Sequence, residues 1–148
     1  THRQSSAASD VYKRQAMWST DTASQSLGMR IDHIAPGAAD LSMVVTAAML
    51  NGHGIAHGGY IFTLADSAFA FACNSYNQLA VAQQNQISYL APGKAGERLH
   101  AAAREQSRTG RSGVYDVTVT GEDGRTIALF RGLSRTIKGH HFEEEMTP

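Results

Sequence analysis

One helical stripe constrains this chain more than any other feature. Ile61, Leu64, Ala65, Ala68, Phe69 and Ala72 recur at spacings of three and four, which predicts a buried helix running from about His57 to about Asn74. After it the period changes to two. Leu99, Ala101 and Ala103 alternate with Arg98, His100, Ala102 and Arg104, and Tyr115, Val117 and Val119 alternate with Asp116, Thr118 and Thr120. That is the pattern of half-buried strands. The Gly-Glu-Asp-Gly segment at 121–124 is a turn signal leading into Thr126-Ile-Ala-Leu-Phe130, a strand that continues towards Ile137. Ile87 and Tyr89 precede the Ala91-Pro-Gly-Lys turn, and Leu41, Met43 and Val45 alternate ahead of the helix. A short helix near Thr20 to Leu27 opens the domain. The expected order is therefore short helix, two strands, long helix, four strands.

A single antiparallel sheet with so few helices can bury a long apolar helix only by wrapping around it, which gives an α+β domain. At 148 residues with 42% apolar content the chain has enough material for one core, and not for two ordinary domains. The domain is expected to span 17–138. Residues 1–16 are polar, without periodicity, and read as a leader foreign to the fold, while 139–148 reads as a solvated polar tail. Thirteen Lys plus Arg balance thirteen Asp plus Glu, so no global field attracts nucleic acid or an anionic membrane. Cys73 stands alone and has no partner for a disulfide. No apolar run reaches the roughly 20 residues that span a bilayer. A cytoplasmic enzyme or binding domain is expected, and its sheet edges invite a symmetric dimer.

Asp66 is the residue that does not fit a purely structural helix. It sits at the edge of the stripe, with Phe62 one turn before it and Phe69 nearly one turn after. Burial would raise its pKa and make it a stronger base once ionised. The alternative is a solvent-facing or salt-bridged carboxylate. Ahead of the helix, Leu50-Asn-Gly-His-Gly-Ile-Ala-His-Gly-Gly59 carries four glycines in ten residues. Bare N–H groups at Gly58 and Gly59 could donate to an oxygen that becomes negative during acyl transfer, or the glycines could serve a tight turn. Asn51 could hold a water or a carbonyl oxygen, or be a plain turn residue. Gly58 and Asp66 lie eight positions apart, about 12 Å along a helix. Both can reach one carbonyl only if two chains pack their helices antiparallel, which gives a homodimer with a shared site.

Other chemistries fit less well. His53 and His57 have the i, i+4 spacing of a zinc pair, but the flanking Gly52 and Gly54 and the missing Glu after His53 argue against it. The glycine run also fails the dinucleotide fingerprint. Cys73 reads as a core residue. Neither a metal nor a cofactor is expected.

Asn51-Gly-His-Gly-Ile-Ala-His-Gly-Gly59, followed by Leu64-Ala-Asp-Ser-Ala-Phe-Ala-Phe-Ala-Cys-Asn74, resembles the hotdog-fold acyl-CoA thioesterases of phenylacetic acid degradation. The resemblance runs from about Thr22 to Lys138 and includes Tyr89-Leu-Ala-Pro-Gly, Gly113-Val-Tyr-Asp-Val and Ala128-Leu-Phe-Arg-Gly132. It implies a hotdog fold and hydrolysis of aryl acyl-CoA thioesters such as phenylacetyl-CoA, with CoA present only as part of the substrate. It implies Asp66 as general base or nucleophile, Gly58 as the group polarising the carbonyl, Asn51 as a positioning residue and His57 as a lesser contributor. It also implies a tetramer built from dimers. Some related thioesterases use a Ser or Thr further along, where this chain has Ala82 and Ala70. Substrate contacts are expected from Gly59 and Phe62, from Arg111, with Arg108 and Arg131 as further candidates for the CoA phosphates, and from Ser112 and Gly113 beside the pantetheine arm. Two other activities share the pocket: a hotdog hydratase or dehydratase using His57 and Asp66, and acyl-CoA binding without turnover.

Overall fold

A computed structural model describes residues 15–141. The expectations for residues 1–14 and 142–148 lie outside the described residues. A helical turn at 15–18 leads to α1 (Thr22–Ser26), β1 (Arg30–Ala35), β2 (Ala38–Val44) and a 3₁₀ turn at Ala47–Met49. Then come α2 (Gly58–Cys73), β3 (Ala80–Tyr89), β4 (Arg98–Thr109), β5 (Ser112–Thr120) and β6 (Thr126–Thr136). The element order is the one the periodicities predict. Every strand pairing is antiparallel, in the order β1-β2-β4-β5-β6-β3. The strand that follows the helix in sequence thus lies at the far edge from the two that precede it. Between them α2 packs across the sheet, which is the expected hotdog arrangement.

The helix buries the predicted stripe: Ile61, Leu64, Ala65, Ala68, Phe69 and Ala72 are all nearly inaccessible. The inward residues of the strands meet it, with Leu41, Met43, Leu99, Tyr115, Val117 and Val119 equally buried. Each large apolar side chain withdrawn from water in this way contributes about 1.5–3 kcal/mol. Phe69 is the centre of an aromatic cluster, its ring 5.7 Å from Tyr115 and 5.8 Å from Phe130. It is seated on Gly132 of β6, where a Cβ would come within 2.7 Å of the ring.

Both helix ends are tied down. His57 is the N-cap, its Nδ1 accepting from the Gly59 N–H at 2.9 Å in the role usually given to Ser, Thr, Asp or Asn. At the other end the Asn74 amide donates to Ala70 O at 2.8 Å and to Ala80 O at 3.1 Å, and accepts from Ala80 N at 2.8 Å. This locks the start of β3 to the helix C-terminus.

At both chain ends the described structure runs past the expected domain bounds. The helical turn starting at residue 15 brings Met17 and Trp18 onto the core, with Trp18 6.2 Å from the Phe71 ring, so ordered structure begins inside the segment read as a leader. The opening residues of the tail are anchored by hydrogen bonds, with Gly139 and His140 still exposed. His140 Nδ1 lies 2.7 Å from Asn77 O, and His141 Nε2 lies 2.8 Å from Asn74 Oδ1. Backbone pairing of Leu79 with Ile137 and Gly139 carries the chain to that position.

Candidate active site

The glycine loop is a rigid platform. Asn51 N donates to Ile55 O at 2.8 Å, and the Asn51 Oδ1 accepts from His53 N at 2.9 Å. The loop is pinned from outside where Ala56 N donates to Gly93 O at 2.9 Å and His57 N to Met49 O at 2.8 Å. The 92–97 segment that receives it is itself clamped. Arg125 pairs with the buried Glu97 carboxylate, holding it below the usual carboxylate range, and also donates to Pro92 O at 2.8 Å. Asn51 is therefore a turn residue through its oxygen, and keeps only its Nδ2 as a donor towards a ligand.

At the helix start the two glycines part company. The Gly59 N–H is already taken by His57 Nδ1, so Gly59 supports the cap and offers no free donor. Because the ring accepts at Nδ1, neutral His57 carries its proton on Nε2. The Gly58 N–H has no acceptor among the described residues, as the first N–H of a helix should not. Tyr89, at the end of β3, donates its hydroxyl to Gly58 O at 2.8 Å, and a Cβ on Gly58 would meet the Tyr89 ring at 3.0 Å. Glycine is needed here for that close approach.

Asp66 lies midway along α2, half-buried and facing β3. Its Oδ1 accepts from Asn85 Nδ2 at 3.1 Å. Burial pushes the carboxyl above the usual range, and the Asn85 hydrogen bond pulls only partly the other way. A carboxylate that is partly desolvated, with no basic partner among the described residues, is equipped as a base. Phe62, one turn back, is half-buried with its ring edge-on to Phe130 at 5.5 Å, giving the site an aromatic wall.

Asn85 escaped the sequence reading. A polar residue at an inward strand position would have been the signal, since Asn85 and Ile87 share the inner face. The register shift between Ala82 and Gln84 breaks the alternation just before it, so parity counted from the start of β3 assigns Asn85 to the outside.

The remaining candidates gather at the opposite end of the helix. Ser112 and buried Gly113 line a small cleft with Cys73, Arg108, Arg111 and Ser134. Within one chain they are brought to the C-terminal end of α2, one end of the helix away from Gly58. Of the three arginines, Arg131 is unsuited to phosphate because it is bidentate with Asp116, at 2.6 and 2.9 Å on the outer face of the sheet. Arg108 lies 3.7 Å over the Tyr76 ring and donates to Gln78. The Arg111 side chain is exposed and without a partner among the described residues. It lines a surface cavity of about 330 Å³ together with Gln78, Thr136, Lys138 and His140, and no carboxylate borders that cavity. Burial pushes the Cys73 thiol up to about 12, as befits an inert core residue. No cluster of three or more His, Cys, Asp or Glu suited to a metal occurs among the described residues. Nor is any helix among them long and apolar enough to cross a membrane.

Residues 53–128 match the Thioesterase superfamily. The acyl-coenzyme A thioesterase PaaI of Escherichia coli (strain K12) is 45% identical over 124 residues, which cover 84% of this chain and 89% of that protein. The solved structure of the E. coli PaaI protein from the phenylacetic acid degradation operon superposes with a TM-score of 0.88 at 42% identity, covering 90% of this chain and 96% of the other. A Streptococcus mutans UA159 protein solved with bound acetyl CoA gives a TM-score of 0.73 at 30% identity, covering 76% and 90% of the two chains.

Proposed function

The chain belongs to the thioesterase superfamily, and on that footing we propose that it hydrolyses aryl acyl-CoA thioesters, such as phenylacetyl-CoA and its hydroxylated forms, to the free acid and CoA. Acyl-CoA thioester hydrolysis is the activity. The aryl preference is the finer reading, supported by the Phe62 and Phe130 wall beside Asp66 and by the similarity to a protein of phenylacetic acid degradation.

One observation carries the mechanism: a half-buried carboxylate with a raised pKa shares a helix with an N–H that no described residue uses. The Gly58 N–H polarises the thioester carbonyl and stabilises the oxyanion that forms from it. Asp66 acts on the same carbonyl, either deprotonating a water or attacking directly to give a mixed anhydride. His57 holds the helix start in place and Asn51 shapes the loop. CoA is the leaving group, and the scheme uses no further cofactor.

The two halves of this site are eight residues apart on one helix, about 12 Å. They meet when Asp66 of one protomer faces Gly58 of the partner subunit. The edge strand β3 supports such a dimer, since it carries exposed Val81 and Tyr89, is followed by exposed Leu90, and has an outer edge that no strand among the described residues covers. A dimer of dimers in the cytoplasm completes the reading. The CoA phosphates fit the basic cavity around Arg111 and Lys138.

Thiol release measured across a panel of acyl-CoA esters tests the substrate class. Phenylacetyl-CoA and hydroxyphenylacetyl-CoA are expected to show a kcat/KM at least about tenfold above acetyl-CoA, the scale of discrimination that apolar pocket contacts supply. A preference for short aliphatic esters would overturn the aryl assignment. Loss of enoyl absorbance without thiol release would replace hydrolysis by hydration.

A further inference from the structure

We propose that Tyr89 is a positioning residue for the oxyanion donor, its hydroxyl and ring fixing Gly58 so that the N–H left free at the start of α2 keeps its aim. This rests on the thioesterase reading and deepens it. Two adjacent glycines make a poor fixed donor, because neither has a side chain to restrict its backbone. Stabilising an oxyanion needs the opposite, a donor held to within about 0.5 Å of its working position. The run His57-Gly58-Gly59 meets that need through its neighbours. His57 N donates to Met49 O at 2.8 Å, and His57 O accepts from Tyr60 N at 3.0 Å. Gly59 N donates to His57 Nδ1 at 2.9 Å, and Gly59 O accepts from the Thr63 hydroxyl at 2.8 Å. Gly58 O accepts from the Tyr89 hydroxyl at 2.8 Å. Of all the backbone polar groups in the run, the Gly58 N–H alone has no partner among the described residues.

The Tyr89 bond is the one that a plain helix would not need. Gly58 is the first residue of α2, and in an α-helix its carbonyl is served by the N–H four residues on. The hydroxyl takes the second lone pair of that oxygen, so it satisfies no orphan group. What it does is hold the peptide. The ring adds a steric stop: three Tyr89 atoms lie 3.0, 3.1 and 3.2 Å from where a Gly58 Cβ would stand, which leaves the residue no room to tip towards β3. Partial burial pushes the Tyr89 phenol above its ordinary range, so the hydroxyl keeps its proton and stays a donor at neutral pH. The same strand serves the other catalytic group. Asn85, four residues earlier in β3, donates from Nδ2 to Asp66 Oδ1 at 3.1 Å. Four strand residues rise about 13 Å and eight helix residues about 12 Å, so β3 runs back along α2 in step and reaches both Gly58 and Asp66. Each β3 thus positions the donor of one shared site and the carboxylate of the other.

The test is steady-state thiol release from phenylacetyl-CoA by the full chain, comparing the wild type with Tyr89→Phe and Tyr89→Ala and following assembly by sedimentation. Tyr89→Phe keeps the ring and removes the hydroxyl. It is expected to lower kcat about 5- to 10-fold, the loss of one neutral hydrogen bond, with KM within about twofold and assembly intact. Tyr89→Ala also removes the steric stop and should lower kcat further, towards the roughly 100-fold that loss of an oxyanion donor costs. Infrared spectra of phenylacetyl-CoA carrying ¹³C at the carbonyl, bound to Asp66→Asn, read the donor itself. The bound carbonyl stretch should lie below its value in solution, and adding Tyr89→Phe should return part of that shift. A merely structural role would lower the melting temperature and leave the stretch where it is. Wild-type kcat in Tyr89→Phe, an unmoved stretch, or a loss of rate that tracks a loss of assembly would overturn the proposal. Absence of thiol release by the wild type would instead overturn the thioesterase reading itself.

Discussion

Asp66 answers to two opposed demands, since the fold favours its neutral form and the proposed reaction needs its charged one. Burial raises its carboxyl pKa. A group raised in this way contributes stability that is fully present below its unfolded pKa and is lost as pH rises through its folded pKa. At neutral pH the ionised side chain therefore weakens the fold relative to a neutral isostere. Asp66→Asn should melt at a higher temperature than the wild type at pH 7, and the difference should close as pH falls through the raised Asp66 pKa and the carboxylate gains its proton. Thermal melts across that range check it. In the wild type, kcat/KM should fall on acidification with a midpoint above the usual carboxylate range, because only ionised Asp66 can take a proton.

At the scale of elements, the helix, its glycine loop and the four strands after it were legible because each carries its own periodicity. Phe69, Tyr115 and Val117 declare their buried faces by spacing alone. What spacing could not convey is which strand lies against which part of the helix. Asn85 entered the site only because β3 crosses to the far edge of the sheet and a register shift at Ala82/Gln84 turns it inward. Spacing also could not show that the Gly59 N–H is claimed by its own neighbour, His57, because that depends on a side-chain rotamer. Arg131 likewise finds Asp116 only through the β5–β6 register. The seat of Phe69 on Gly132 gives a packing test at this scale. Gly132→Ala should cost about 1–3 kcal/mol, the range for forcing extra volume into a filled core, and should do so without moving the pH profile. Chemical denaturation measures it, and a variant as stable as the wild type would show that α2 is not held as tightly as its contacts imply.

For the whole molecule, the proposed site needs a second chain, because Gly58 and Asp66 lie about 12 Å apart along α2. A chain carrying Asp66→Ala and a chain carrying Gly58→Val are each expected to be nearly inactive as homodimers. Refolded together, they form heterodimers in which one of the two sites joins an intact Gly58 to an intact Asp66. Random pairing makes half of the dimers hybrid with one good site in two, so about a quarter of wild-type activity should return. No recovery on mixing would mean that Gly58 and Asp66 do not combine across a subunit interface.

The most direct test of hydrolysis through Asp66 is thiol release from phenylacetyl-CoA by the wild type and by Asp66→Ala, with the variant's fold and assembly checked by circular dichroism and sedimentation. Release by the wild type that falls at least about a thousandfold in a folded, assembled variant is the expected result, the scale lost when a group that acts in the transition state is removed. Equal release by both proteins would contradict it and move the chemistry to another residue.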